Sequence, residues 1–150
     1  MHHANFPDNL KTIIASAPLQ DALQATLTHF ECAAGTWHTL EGDMLHLAAA
    51  CHIPPPVLTV IQNVPVGKGI AGLAAQRKEP VSLCNLQTDD SGQARPGAKA
   101  TGMEGSLAVP AFSTAGELKG VLGIAKPTAH DWSDTEKASV LAAAAAFASR

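Results

Sequence analysis

The sequence has little charge and few cysteines, and these shortages exclude several classes of protein. Of the 150 residues, 15% are charged and the formal net charge is -3. The lysines and arginines form no basic stripe, which argues against nucleic-acid binding. No apolar run approaches the roughly 18 residues that a membrane-spanning helix needs. We therefore expect a globular chain that binds neither nucleic acid nor a membrane.

The three cysteines, Cys32, Cys51 and Cys84, are odd in number and lack C-x-x-C spacing. This pattern argues against a disulfide framework and favours a reducing cytoplasm. The first 30 residues contain proline, aspartate, glutamine and lysine where a signal peptide needs an unbroken apolar stretch, so we do not expect secretion. The length predicts a single domain over residues 1–150, with its core at about residues 19–148.

Apolar periodicity, prolines and glycines predict an α+β fold. The predicted elements are helices at 8–17, 19–30, 70–77 and 134–149 and strands at 35–40, 44–51, 81–84, 106–112 and 118–126. A hairpin in each half of the chain favours an antiparallel sheet with helices on its faces. Residues 85–103 form a long segment without periodicity, which is typical of a binding loop or a disordered one.

The last predicted helix is unusual because it is apolar all round. Ser133 and Glu136 have the spacing of a capping box at its start. Residues 140–148 are all apolar, and several are alanines that permit close approach of another helix. A helix of this kind cannot rest on one sheet and leave its other side in water. We therefore predict a self-association surface and a dimer.

Five segments, in this order, resemble the GAF family: V-P-V-G-K-G-I-A-G-L-A-A from Val64, E-P-V-S-L-C-N-L-Q-T-D from Glu79, S-L-A-V-P-A-F from Ser106, G-E-L-K-G-V-L-G-I-A from Gly116, and W-S-D-T-E-K from Trp132. The resemblance covers residues 19–147. It implies a six-stranded antiparallel sheet with the first and last helices on one face, where family members commonly dimerise. The short helix and the long loop would enclose a small-molecule pocket on the other face.

The resemblance also implies a set of ligand-binding residues: Trp37, Gly69, Ile70, Leu73, Leu86, Asp89, Met103 and Leu107. Plain core packing is the alternative for the apolar members, and a solvated loop charge is the alternative for Asp89. No cofactor, metal ligand or catalytic residue is assigned.

Some single-domain GAF proteins reduce free methionine sulfoxide, and this chain is similar to them in size. Their pattern has cysteine at the position of Ala71 and in the long loop, where residues 85–103 contain none. It has acidic residues at the positions of Gly123 and Ala125, and Glu104 is displaced by two residues from a further acidic position. Because the thiols and carboxylates are missing together, we do not expect this activity.

Three other patterns have alternative interpretations. Gly67 to Gly72 match G-x-G-x-x-G with Asp89 downstream, but a dinucleotide fold would need a parallel sheet. A simpler possibility is an anion at the helix N-terminus beside Lys68. His38 and His46 would face each other across a three-residue hairpin loop, as an incomplete metal site or, more simply, a polar pair. Cys84 is interpreted as a small buried hydrophobe.

We favour a non-catalytic small-molecule-sensing or dimerisation module that acts in signalling or transcriptional regulation. Because the sequence ends soon after the last helix, we expect the signal to pass to a separate partner. The alternative is a thiol-dependent reductase, related to the free methionine sulfoxide enzymes, with Cys84 as its nucleophile.

Overall fold

The computed structural model describes residues 8–89, 91, 93 and 96–150. The helices are α1 (Asp8–Ser16), α2 (Leu19–His29), α3 (Pro55–Ile61), α4 (Gly69–Arg77) and α5 (Asp134–Ala148), with a 3-10 helix at Pro96–Thr101. The strands are β1 (Ala34–Glu41), β2 (Met44–Cys51), β3 (Asn63–Pro65), β4 (Val81–Leu83), β5 (Gly105–Phe112) and β6 (Leu118–Lys126).

The six strands form one sheet in the order β3-β2-β1-β6-β5-β4, and every neighbouring pair is antiparallel. This confirms the predicted α+β fold with an antiparallel sheet of about six strands. It also removes the parallel sheet that the dinucleotide interpretation of Gly67 to Gly72 required. Two elements, α3 and β3, were not predicted. The long loop contains the 3-10 helix, and residues 90, 92, 94 and 95 within it lie outside the described part.

The first and last helices cover one face of the sheet, which we call the filled face. Helix α2 packs on β1 and β2, α5 packs on β5 and β6, and α1 packs on both helices. Large buried side chains fill the space between them, and Trp37 lies against Phe147 with ring centroids 5.2 Å apart. On the opposite face, α4 packs on β5 and β6, and α3 contacts β2 and the 3-10 helix.

Helix α5 begins with the predicted capping box. The Ser133 hydroxyl accepts from the Glu136 N–H, and the Glu136 carboxylate accepts from the Ser133 N–H. Helix α1 covers part of the outer side of α5, and the Arg150 guanidinium donates to the carbonyl oxygens of Ile14 and Ala17. Part of the apolar surface predicted for self-association is therefore covered within the chain.

The glycine turn before α4 depends on backbone geometry that other residues resist. Gly67 and Gly69 have φ values of 95° and 66°, in the left-handed region that glycine tolerates best. A Cβ at Gly72 would lie 2.5 Å from the carbonyl oxygen of Pro65, so the first turn of α4 can pack closely on the chain that leads into it. These contacts fix the start of α4 next to β3.

Candidate functional site

A cavity of about 160 Å³ lies on the face opposite the terminal helices, which we call the cavity face. Its floor is the surface of three adjacent strands, β1, β6 and β5. The floor side chains are small: Ala34, Thr36, Gly123, Ala125, Ser106 and Ala108. Strand pairing sets them in rows, because Thr36 and Ala108 both pair with Gly123 while Ala34 and Ser106 both pair with Ala125. The cavity exists because these side chains do not reach the elements above them.

The cavity walls come from the segments that cross the sheet. Helix α3 supplies Val57, Val60 and Ile61, α4 supplies residues 69–71, and the long loop supplies residues that include Leu86 and Met103. Val60 is 45% exposed, so it lies at the rim where the cavity meets solvent. Most of the lining is aliphatic, as is usual for small-molecule sites in proteins.

Four of the eight residues predicted from the GAF resemblance lie around this cavity: Gly69, Ile70, Leu86 and Met103. The other four lie elsewhere. Trp37 and Leu107 belong to the core on the filled face. Leu73 packs against a smaller core cluster under α4. The Asp89 carboxylate accepts hydrogen bonds from the Ser91 N–H and hydroxyl, at 3.2 and 2.7 Å, within the loop.

Strand parity explains the positions of Trp37 and Leu107. Successive side chains of a strand point to opposite faces of its sheet. Thr36 on β1 and Ser106 and Ala108 on β5 line the cavity, so Trp37 and Leu107 point into the filled face. A prediction one residue away along each strand would have found the cavity floor.

His38 brings a buried, titratable imidazole to the cavity wall, and it was not among the predicted ligand-binding residues. It is only 2% exposed, and its Nε2 lies 2.9 Å from the carbonyl oxygen of Ile61. A carbonyl can only accept, so Nε2 carries the hydrogen. Nδ1 is buried and has no hydrogen-bond partner among the described residues. The alternation of Ala34, Thr36 and His38 along β1 was the signal that could have placed it.

The surroundings of His38 favour its neutral form. Burial lowers the pKa of His38 below its ordinary value of 6.5, and the nearby His46 lowers it further. The hydrogen bond to Ile61 raises the pKa of His38, but its influence is weaker than that of burial. With Nε2 protonated in the neutral ring, Nδ1 presents a lone pair and is a hydrogen-bond acceptor.

His38 and His46 do not form the pair considered from the sequence. The hairpin pairs Glu41 with Met44, so its loop has two residues instead of the three that the His38–His46 pair required. His38 consequently pairs with Leu47. His46 instead lies 2.7 Å from the Asn63 side-chain oxygen through its Nδ1. Within the described residues, no group of three histidine, cysteine or acidic side chains could hold a metal ion.

The positions that matter for the reductase comparison lie in the cavity wall. Ala71, Gly123 and Ala125 all line the cavity, so the positions at which the sulfoxide-reducing pattern has a thiol and carboxylates carry small apolar residues here. None of them can act as a nucleophile or hold an ammonium group. Their small size contributes instead to the volume of the cavity.

The structure corrects the prediction for Cys84. This residue directly follows β4 and is exposed, because the chain leaves the sheet after Leu83. It does not line the cavity. Cys51 is buried, and Cys32 is half-buried, with its pKa raised by burial to about 11. Cys84 is thus the most accessible of the three thiols.

Comparisons with known proteins agree with the fold. The family model described as GAF domain matches residues 16–149, and the chain belongs to this family. A GAF sensor protein from Burkholderia vietnamiensis has a TM-score of 0.76 and 17% identity, over 97% of this chain and 89% of that one. The GAF domain of an Acinetobacter phosphoenolpyruvate-protein phosphotransferase has a TM-score of 0.73 and 18% identity, over 93% and 86%.

Enzymes have the same fold. Free methionine-R-sulfoxide reductase from Neisseria meningitidis, solved with its substrate, has a TM-score of 0.75 and 17% identity, over 99% of this chain and 94% of that one. No match to a curated protein was found. Among the described residues, no helix has the length and apolarity to cross a lipid bilayer. The fold is therefore that of GAF domains, which comprise both sensors and sulfoxide reductases.

Proposed function

We propose that this GAF domain is a non-catalytic sensing module that binds a small molecule in the cavity between the sheet, α3 and α4. The observation that carries the proposal is the chemistry of the cavity wall. Ala71, Gly123 and Ala125 leave it without the thiol and carboxylates of the reductase pattern, while the space between the sheet and the short helices remains. Such a site can select and hold a molecule but supplies no nucleophile to it.

The proposed signal is a shift between two arrangements of the helices, read in the cytoplasm by a separate partner in signalling or transcriptional regulation. A ligand changes such an equilibrium only by the difference between its affinities for the two states. The cavity contacts α3 and α4 on one face, while β1, β5 and β6 pass beneath it and carry α2 and α5 on the other. The sheet is the physical connection between the two faces.

A homodimer through the terminal helices belongs to the same proposal. Leu141, Ala142, Ala145 and Ala146 on α5 are only half-buried although α1 packs nearby. Light scattering at tens of micromolar should give twice the mass of one chain. A monomer at this concentration would remove the dimer from the proposal and leave ligand binding to be judged separately.

The direct test of sensing is native mass spectrometry of the freshly purified protein. We expect a bound small molecule that is lost when Ala125 is changed to leucine, because the longer side chain projects into the cavity. Ala48→Leu is the matched control, because Ala48 is exposed on β2 and does not line the cavity. An unliganded protein that also fails to bind any member of a metabolite library would overturn the proposal.

A thiol-dependent reductase is the second candidate, because Cys84 is exposed and reductases share the fold. The test is turnover of free methionine sulfoxide with dithiothreitol as reductant, together with iodoacetamide labelling near neutral pH. We expect no turnover, and labelling of Cys84 no faster than that of free cysteine. Turnover that disappears in Cys84→Ala would establish the enzyme and overturn the non-catalytic proposal.

A further inference from the structure

The size of the cavity limits what it can hold. Its volume is about 160 Å³. An engineered apolar cavity of about 150 Å³ in another protein stays dry and binds benzene. The two volumes are similar, so the space beside His38 fits a body of about one six-membered ring.

The acceptor on His38 limits the polar chemistry of the occupant. Nε2 donates to Ile61, which fixes the neutral tautomer and leaves Nδ1 as an acceptor. No described residue donates to Nδ1, and a buried polar atom without a partner is costly. His38 forms part of the cavity wall, but its neighbours cover Nδ1, so an occupant of the cavity supplies the missing donor only after a small shift of the imidazole ring.

The remaining wall disfavours a charged occupant. Val57, Ile61, Ile70 and Leu86 offer no counter-charge to a buried ion. Lys68 also borders the cavity, but it is exposed and its ammonium group can stay in water. The hydroxyl-bearing side chains Thr36 and Ser106 on the floor can serve a second neutral polar group.

We propose that the cavity takes an uncharged molecule of about one six-membered ring that carries an O–H or N–H group, and that this group donates a hydrogen bond to Nδ1 of His38. This inference rests on the proposed function, because it assumes that the cavity is a ligand site. It names the chemical class of the ligand, a small neutral ring compound with one donor such as a phenol. A water molecule bound to Nδ1 is the competing donor.

The experiment compares phenol with toluene, which have similar shapes and differ in the donor. Their dissociation constants are measured by calorimetry or by ligand-observed NMR, for wild type and for His38→Leu. We expect the preference for phenol over toluene to fall about tenfold in His38→Leu, because the variant removes the acceptor. The different hydration of the two probes cancels, because each probe's affinity for the variant is compared with the same probe's affinity for wild type.

A spectroscopic measurement on wild type makes the test independent of the variant's folding. In ¹⁵N-labelled protein, the His38 Nδ1 resonance should move upfield on addition of phenol and stay in place with toluene, because only phenol donates to it. Ala125→Leu should abolish binding of both probes, whereas Ala48→Leu should leave both dissociation constants unchanged.

The outcomes separate this inference from the proposed function. One outcome is that both probes bind, that the ratio of their dissociation constants is the same in His38→Leu and wild type, and that the Nδ1 resonance does not move. In that case Nδ1 keeps a water molecule or has no donor. The inference then fails while ligand sensing stands. A larger or anionic molecule found in the cavity by native mass spectrometry would also overturn it alone. If neither probe binds and nothing copurifies, both proposals fail.

Discussion

The two faces of the sheet are built from the same strands, but one face carries a closely packed core and the other carries a cavity. On β6, Leu122 and Ile124 point into the filled face and are fully or almost fully buried, whereas Gly123 and Ala125 form the floor of the cavity. Terminal helices cover one face, and short helices with a long loop cover the other. The period of two along a strand thus lets one segment fill a core on one side and leave space for a cavity on the other. Where the cavity lies, the difference between the faces is side-chain size, and size can be changed by mutation.

Removal of a large side chain should show the greatest contrast between the faces. Leu122→Ala on the filled face should lower the free energy of unfolding by about 3 kcal/mol, because a closely packed neighbourhood cannot collapse into the space. Leu86→Ala on the cavity wall should cost about 1–2 kcal/mol, because Leu86 already lacks neighbours on its cavity side. Urea unfolding at neutral pH measures both. Equal losses would mean that the cavity face is packed as closely as the filled face.

Addition of a single methyl group tests the same contrast in the opposite direction. A Cβ at Gly120 would meet the carbonyl oxygen of His38 and, at 2.7 Å, the ring of Trp37, so Gly120→Ala should cost about 2 kcal/mol. A Cβ at Gly123 meets only the Thr36 hydroxyl, at 3.0 Å, and that side chain can rotate. Gly123→Ala should therefore be neutral or stabilising by about 0.5 kcal/mol, since alanine restricts the unfolded chain. Thermal unfolding of the two variants measures both effects. A larger loss of stability in Gly123→Ala than in Gly120→Ala would contradict the assignment of the two faces.

The division between faces was predictable only in part. The capping box at Ser133, the glycine turn before α4 and the two hairpins were visible in the sequence, because each depends on local chemistry. They sufficed for the α+β fold, and the resemblance to the GAF family implied which helices lie on each face. The cavity floor depends instead on strand parity, and an assignment to Trp37 and Leu107 misses it by one residue each.

Other features depend on contacts that are distant in sequence. Three prolines at 54–56 follow a predicted strand and indicate its end, yet Pro55 and Pro56 also begin α3, because proline is tolerated in the first turn of a helix. The acceptor at His38 arises only when Ile61 of α3 lies beside β1. The exposure of Cys84 likewise depends on where β4 ends. Local sequence patterns carry no information about such contacts.

A titratable side chain on the cavity face should make stability depend on pH. The folded-state pKa of His38 lies below 6.5, so the unfolded chain binds the proton more readily. The contribution of neutral His38 to the free energy of unfolding should be complete above about pH 6.5. Below that pH it should fall by up to about 1.4 kcal/mol per pH unit, until the folded-state pKa is reached. Urea unfolding at several pH values from 7.5 to 5.5 measures the slope. His38→Leu should flatten it, and an unchanged slope in the variant would show that His38 is not its source.

The smallest expected effect comes from the cap of α5, which should influence the stability of the fold and not binding in the cavity. Ser133→Ala removes the cap of α5 and should cost about 1 kcal/mol, because the N–H of Glu136 loses its acceptor. Ser149→Ala at the other end of α5 is the matched control and should change little, since its hydroxyl only donates to the Ala145 carbonyl on an exposed turn. Urea unfolding gives both values. Phenol affinity should be the same in both variants and wild type, because loss of the cap lowers the stability of α5 without changing its packing on the sheet. A loss of affinity in Ser133→Ala alone would mean that the cap also sets the packing of α5 and that the sheet carries this change to the cavity.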